Sequence, residues 1–130
     1  MGKTVTGGCL CGEIRFEASA EPALQLLCHC TDCQTISGAA AYAAYVVPLD
    51  SLKVLQGEPA HYEVSADSGR SNSRHFCPNC GARVWAVLKE MGLASVNGLA
   101  LDDRSHFQPA ANHMISSAPG WCALGDLPAA

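Results

Sequence analysis

The sequence predicts a mainly β protein folded as a single domain over residues 1–130, and three observations carry that reading. Short segments rich in β-branched, aromatic or alternating residues recur along the chain, and glycine, proline, asparagine and aspartate turns separate them. A length of 130 residues suits one domain with a proper core. Hydrophobic residues make up 48% of the chain and charged residues 15%, which excludes a disordered polymer. Many short strands with regular turns describe a sandwich or barrel-like domain.

In order, Thr4 to Gly7 and Glu13 to Ala18 are the first strands. In the second, Ile14 and Phe16 alternate with Glu13, Arg15 and Glu17. Leu24 to Leu27 is an apolar strand that delivers the segment Cys28-His29-Cys30-Thr31-Asp32-Cys33. Thr31 to Ser37 reads as one short helical turn, capped by Thr31 and ended by Gly38. Ala39 to Val47 is taken as a buried strand, stopped by Pro48. Further strands are expected at Leu52 to Leu55, Ala60 to Val64, Ser71 to Phe76, Arg83 to Val87 and Ala94 to Val96. Their turns are Gly57-Glu58-Pro59, Asp67-Ser68-Gly69, Cys77 to Gly81 and Asn97-Gly98. Asp102 to Ala111 reads as a loop before a last strand around His113 to Ile115. Tyr42, Tyr45, Trp85 and Trp121 are expected in the core.

Charge and apolar patterning narrow the partners. Twelve acids against eight bases give a formal charge of −4, and the bases are dispersed, so no phosphate-tracking stripe exists and nucleic acid is not expected. The opening residues lack the apolar run of a signal peptide. They fit the loose N-myristoylation pattern at Gly2, but an ordinary N-terminal strand is the reading adopted. The longest apolar run, Ala39 to Val47, is far below the ~20 residues of a membrane helix. A soluble, cytoplasmic protein with no membrane partner is the expectation.

Eight cysteines in such a compartment point to metal rather than disulfides. Cys28, Cys30 and Cys33 are too close in sequence to serve separate ions, so they share one centre. Cys9 and Cys11 flank one residue in extended backbone and therefore face one side. Cys77-Pro78-Asn79-Cys80-Gly81 has zinc-knuckle spacing; a CxxC alone could also be a redox pair, but Pro78, Gly81 and the other cysteines favour the knuckle. Joined, these two pairs make a closed four-thiolate site, and the triplet makes a site with an open fourth position. A protein group could still fill that position, from Cys122, His29, His75 or His113, and a single-ion arrangement stays possible. Two Zn²⁺ per chain is the expectation.

The segments Gly8-Cys9-Leu10-Cys11-Gly12, Cys28 to Cys33 and Phe76-Cys77-Pro78-Asn79-Cys80-Gly81, with Gly38 and the late Pro119-Gly120-Trp121, resemble the glutathione-dependent formaldehyde-activating enzymes. That family also includes centromere protein V. The resemblance spans nearly the whole chain. It implies a zinc-stitched β-tent of small antiparallel sheets, structural zinc on Cys9, Cys11, Cys77 and Cys80, and catalytic zinc on Cys28, Cys30 and Cys33. It also implies a carbon–sulfur lyase forming or cleaving S-hydroxymethylglutathione. Gln34 departs from the family pattern, in which many relatives carry Arg or Lys directly after the triplet.

Three thiolates leave Zn²⁺ a weak Lewis acid that suits a soft ligand, so a small thiol such as glutathione is the expected partner. His29, Asp32 and His75 are candidates to move the proton. Arg74 and Arg83, with Arg70, are candidates to bind substrate carboxylates. The alternatives are a non-catalytic protein-interaction module with purely structural zinc, and a thiol or metal sensor.

Overall fold

The computed structural model describes residues 3–65 and 69–130. The Gly2 pattern and the Asp67-Ser68 part of one expected turn lie outside the described residues. Ten strands form two sheets. The smaller is antiparallel, in the order β1 (Thr4–Gly8), β2 (Arg15–Ser19), β5 (Lys53–Gln56). The larger has seven strands in the order β10 (Ala111–His113), β3 (Leu24–Cys28), β4 (Tyr42–Pro48), β9 (Leu93–Asn97), β8 (Arg83–Leu88), β7 (Ser71–Phe76), β6 (Ala60–Ser65). A single short helix, α1 (Thr31–Ser37), joins β3 to β4. No described helix is long and apolar enough to cross a membrane.

The run Tyr-Ala-Ala-Tyr-Val-Val does not alternate because β4 is buried on both faces. On one face, Tyr45, Val47, Trp85, Ala94 and Val96 pack with Val5, Ile14, Phe16 and Ala18 from the first two strands and the turn between them. Phe16 meets Trp85 edge to face, with ring centroids 5.6 Å apart. On the other face, Tyr42, Ala44 and Val46 pack with Cys33 and with Leu26, Ile36 and Leu93. The register across the large sheet keeps these faces distinct. Tyr45, Val96, Trp85, His75 and His61 form one row. Val46, Ser95, Ala86, Arg74 and Tyr62 form another, one residue out of phase and therefore on the opposite face.

Four local expectations are corrected. The helix is capped by Cys30, not Thr31, because the Cys30 sulfur accepts the Cys33 N–H at 3.3 Å. β4 starts at Tyr42 rather than Ala39, since the Ala40 carbonyl is turned toward His29. The last strand is Ala111–His113, and it pairs with β3 in parallel, the one parallel pair among the described strands. It ends where Met114 adopts the left-handed conformation, φ 59°. Trp121 is 78% exposed, outside either core.

The two sheets are tied where β1 passes the 3-10 turn Gly98–Ala100. A Cβ at Gly7 would sit 2.5 Å from the Ala100 carbonyl oxygen, so only glycine allows that approach. Beside it, Thr6 and Arg15 both donate to the Asp102 carboxylate, the hydroxyl at 2.7 Å. Arg15, then Thr6, hold that carboxyl down to about 2. Its folded value lies below the ordinary ~3.9, so the pair stabilises the fold above about pH 4 and ceases to as pH falls through about 2. The side chains are 34% and 48% exposed, so solvent screens them. Asp102→Asn is expected to lose less than ~1 kcal/mol at pH 7. Urea unfolding should find that deficit shrinking between about pH 4 and pH 2.

Candidate metal centres

Cys9 and Cys11 lie on the turn between β1 and β2, and Cys77 and Cys80 on the turn between β7 and β8. The four sulfurs lie within 4.8 Å of one another, with Cys9–Cys11 at 3.7 Å and Cys11–Cys77 at 3.8 Å. Each turn aims backbone N–H groups at sulfur: Ile14 to Cys9 at 3.2 Å, Asn79 and Cys80 to Cys77 at 3.4 and 3.5 Å. Gly81, at φ 77°, supplies the left-handed residue that closes the knuckle, and its N–H donates to the Cys77 carbonyl at 2.8 Å. The Ala82 and Cys11 N–H groups hold the Cys80 thiol low, whereas burial pushes Cys77 up. The four sulfurs are already together, and the cluster could hold a metal ion.

The second cluster is built at the junction of β3 and α1. Cys28 ends the strand, Cys30 caps the helix and Cys33 occupies its first turn. Their sulfurs also lie within 4.8 Å of one another. The Cys33 side chain lowers the Cys28 pKa, and Cys28 with burial raises that of Cys33; a smaller lowering at Cys28 comes from His113. Thiols must shed their protons to hold a cation, so binding there would be coupled to deprotonation. Among the described residues, no fourth Cys, His, Asp or Glu joins the three.

Three of the four candidate fourth ligands are otherwise placed. His29 is 3% exposed, with Nδ1 3.1 Å from the Ala40 carbonyl and Nε2 2.9 Å from Asn112 Oδ1. The Asn112 amide donates to the Leu124 and Leu127 carbonyls at 3.0 and 3.3 Å, which fixes its oxygen toward the ring. His29 is thus a brace between two cysteines rather than a ligand or a group facing substrate. His75 stacks between His61 and Trp85 at 5.2 and 5.5 Å, in the row on the face away from the triplet. The structure does not bring it to the site. Cys122 is half-buried, its thiol 3.8 Å from the Ala123 carbonyl. His113 alone of these stands in register with Cys28, on the same face.

Asp32 is exposed in the first turn of α1. Arg74 is buried in the row that faces the triplet side. Arg83 lies over the Phe76 ring at 5.0 Å and lines a cavity of about 410 Å³ with Cys9, Arg15 and Arg104, beside the four-cysteine cluster. Arg70 reaches Met91 at the exposed far end of the sheet.

Two contributors were invisible in the sequence. Gln34 donates to the His29 carbonyl at 2.7 Å and to the Ser117 carbonyl at 2.8 Å, clamping the triplet loop to the later turn Ile115–Ser117. Asn112, 1% exposed, does the same from β10. Strand pairing reveals Asn112, and the approach of α1 to the later turn reveals Gln34.

The fold is similar to that of a crystallised Rhodobacter sphaeroides protein, with a TM-score of 0.62 at 21% identity over 75% of this chain and 88% of that one. The family model for glutathione-dependent formaldehyde-activating enzymes matches residues 4–117, which include all seven clustered cysteines. With the match spanning both cysteine clusters and nearly every strand, the chain belongs to the glutathione-dependent formaldehyde-activating enzyme family.

Proposed function

We propose that this protein is a zinc-dependent carbon–sulfur lyase that makes or breaks the adduct of a glutathione-type thiol with a small aldehyde such as formaldehyde. One observation carries the reading: the triplet assembles three sulfurs with no fourth described ligand, whereas the other cluster is complete at four. Complete thiolate sets are structural and incomplete ones leave a place for substrate. Zn²⁺ fits the donors. All-thiolate sets select it, and a tetrahedron with 2.3 Å Zn–S bonds has edges of about 3.8 Å, close to the 3.7 and 3.8 Å sulfur separations. At the triplet, zinc would supply acidity to a bound thiol, which is otherwise only a few per cent ionised at neutral pH.

The chain's own residues set the geometry. The Cys33 N–H on the Cys30 sulfur, and the His29–Asn112 and Gln34 contacts, hold the three sulfurs as a rigid tripod. In synthesis the thiol sulfur joins the aldehyde carbon, the carbon–oxygen π bond opens, and the oxygen takes up the proton that the thiol released. Cleavage reverses each change. His113 takes the proton-carrying role, because its ring sits beside Cys28 and makes no hydrogen bond to a described residue.

Zinc-edge absorption spectroscopy with and without glutathione tests the reading. Two ions per chain are expected, with added thiol replacing an oxygen by a sulfur at one of them. A first shell that ignores the thiol would leave a zinc-stapled scaffold without a reaction centre.

A further inference from the structure

Arg74 is the one arginine buried in this protein. It is 8% exposed, yet no described residue gives it a hydrogen bond or an ion pair. Its neighbours in register are Tyr62 and Ala86, and along β7 the same face carries Asn72 and Phe76. None is a carboxylate. The remaining arginines are differently situated: Arg15 is neutralised by Asp102, Arg83 stacks on Phe76, and Arg70 and Arg104 are exposed. An uncompensated guanidinium in a buried position is expensive, so a group of opposite charge is expected to complete it. Its nitrogens are not sealed off, since the only fully buried side-chain polar atom without a partner, among the described residues, is Asn72 Oδ1. The guanidinium thus keeps some contact with solvent.

The position of that guanidinium gives the missing anion a context. Arg74 lies in the row Val46, Ser95, Ala86, Arg74, Tyr62, on the face that also carries Tyr42 and the triplet. Ser95 and Ala86, between β4 and Arg74, are small. The Tyr42 hydroxyl donates to the Ser95 carbonyl at 3.5 Å. Register alone puts Cys28, Tyr42 and Arg74 on one face of one sheet.

We propose that Arg74 is the specificity-determining residue of the thiol site, binding a carboxylate of the thiol whose sulfur enters at Cys28, Cys30 and Cys33. The inference rests on the lyase reading above and adds to it a selection rule: thiols with a free carboxylate are taken in preference to neutral thiols of the same skeleton. A guanidinium presents paired N–H donors in the plane that a carboxylate accepts, which a neutral ester or amide does not match.

The test compares glutathione with its diester, which keeps the sulfur and the skeleton and lacks both carboxylates. Each is titrated into the zinc-loaded full-length protein, with the zinc-edge spectrum as the readout. The wild type should bind glutathione about 10- to 100-fold more tightly than the diester. In Arg74→Met, which keeps the apolar stem, the two thiols should bind alike, at the diester's wild-type level. Arg74→Lys should restore part of the preference, since an ammonium supplies charge without the fork. Equal binding of the two thiols by the wild type overturns the role of Arg74 without recourse to any variant. So does an Arg74→Met protein that weakens both thiols by the same factor, because Arg74 would then only offset the charge of the triplet. If neither thiol alters the spectrum of the wild type, the lyase reading itself fails, and this inference with it.

Discussion

Cys77→Ser is expected to leave the chain without a stable folded state. Cys77 is fully buried within the larger core, and its sulfur meets that of Cys11 across 66 residues of sequence. Serine would keep a polar atom there but forfeit a thiolate ligand. The β1–β2 turn and the knuckle between β7 and β8 would lose the bond that closes the long loop between them. Metal bound to such a set contributes folding energy directly, on the order of 10 kcal/mol in small zinc modules. A domain's whole stability is about 5–15 kcal/mol, so the loss is comparable to the total. Circular dichroism and a thermal melt check this, and a strong chelator should drive the wild type to the same state. A variant that melts at the wild-type temperature would show that the four thiols serve only as core side chains.

Cys28→Ser is expected to do the opposite: keep the fold and lose the chemistry. Cys28 is the last residue of β3, half-buried, and its cluster packs only with the smaller core around Tyr42, Ala44 and Val46. The four-cysteine set is untouched. The variant should retain one of two zinc ions and melt within a few degrees of the wild type. Its rate of thiol–aldehyde adduct formation should fall by more than about 100-fold, beyond what losing a group that merely orients a ligand brings about. Metal content by mass spectrometry and the initial rate with formaldehyde and glutathione measure both halves. A variant that unfolds would make the triplet a second staple; one that reacts at the wild-type rate would place the chemistry elsewhere.

What the sequence disclosed was whatever is written within a few residues. Ligand spacing is local, so the seven cysteines could be grouped before any strand was paired, and the sulfurs of each group do lie together. Alternation in Ile14–Glu17, or the turn at Gly57-Glu58-Pro59, is equally local. The face a side chain occupies is not local when a strand is buried on both sides. His75 and Arg74 are adjacent, and nothing in Ser71–Phe76 tells which of them looks toward the triplet. Pairing with Trp85 and Ala86 decides it, sending His75 to the Trp85 face and Arg74 to the other. The parallel pairing of Ala111–His113 with β3 was equally hidden, because it joins segments more than 80 residues apart, and it is this pairing that sets His113 beside Cys28.

The Asn112 amide has a reach beyond its own strand. The family match ends at residue 117, yet both Asn112 amide donors are engaged by carbonyls at Leu124 and Leu127, and its backbone N–H by Pro128. Those carbonyls decide whether the oxygen of that amide keeps pointing at the imidazole between Cys28 and Cys30. Relatives that differ only in this last stretch would therefore share all seven clustered cysteines and still hold the triplet loop with different firmness, a divergence that a comparison of motifs would pass over.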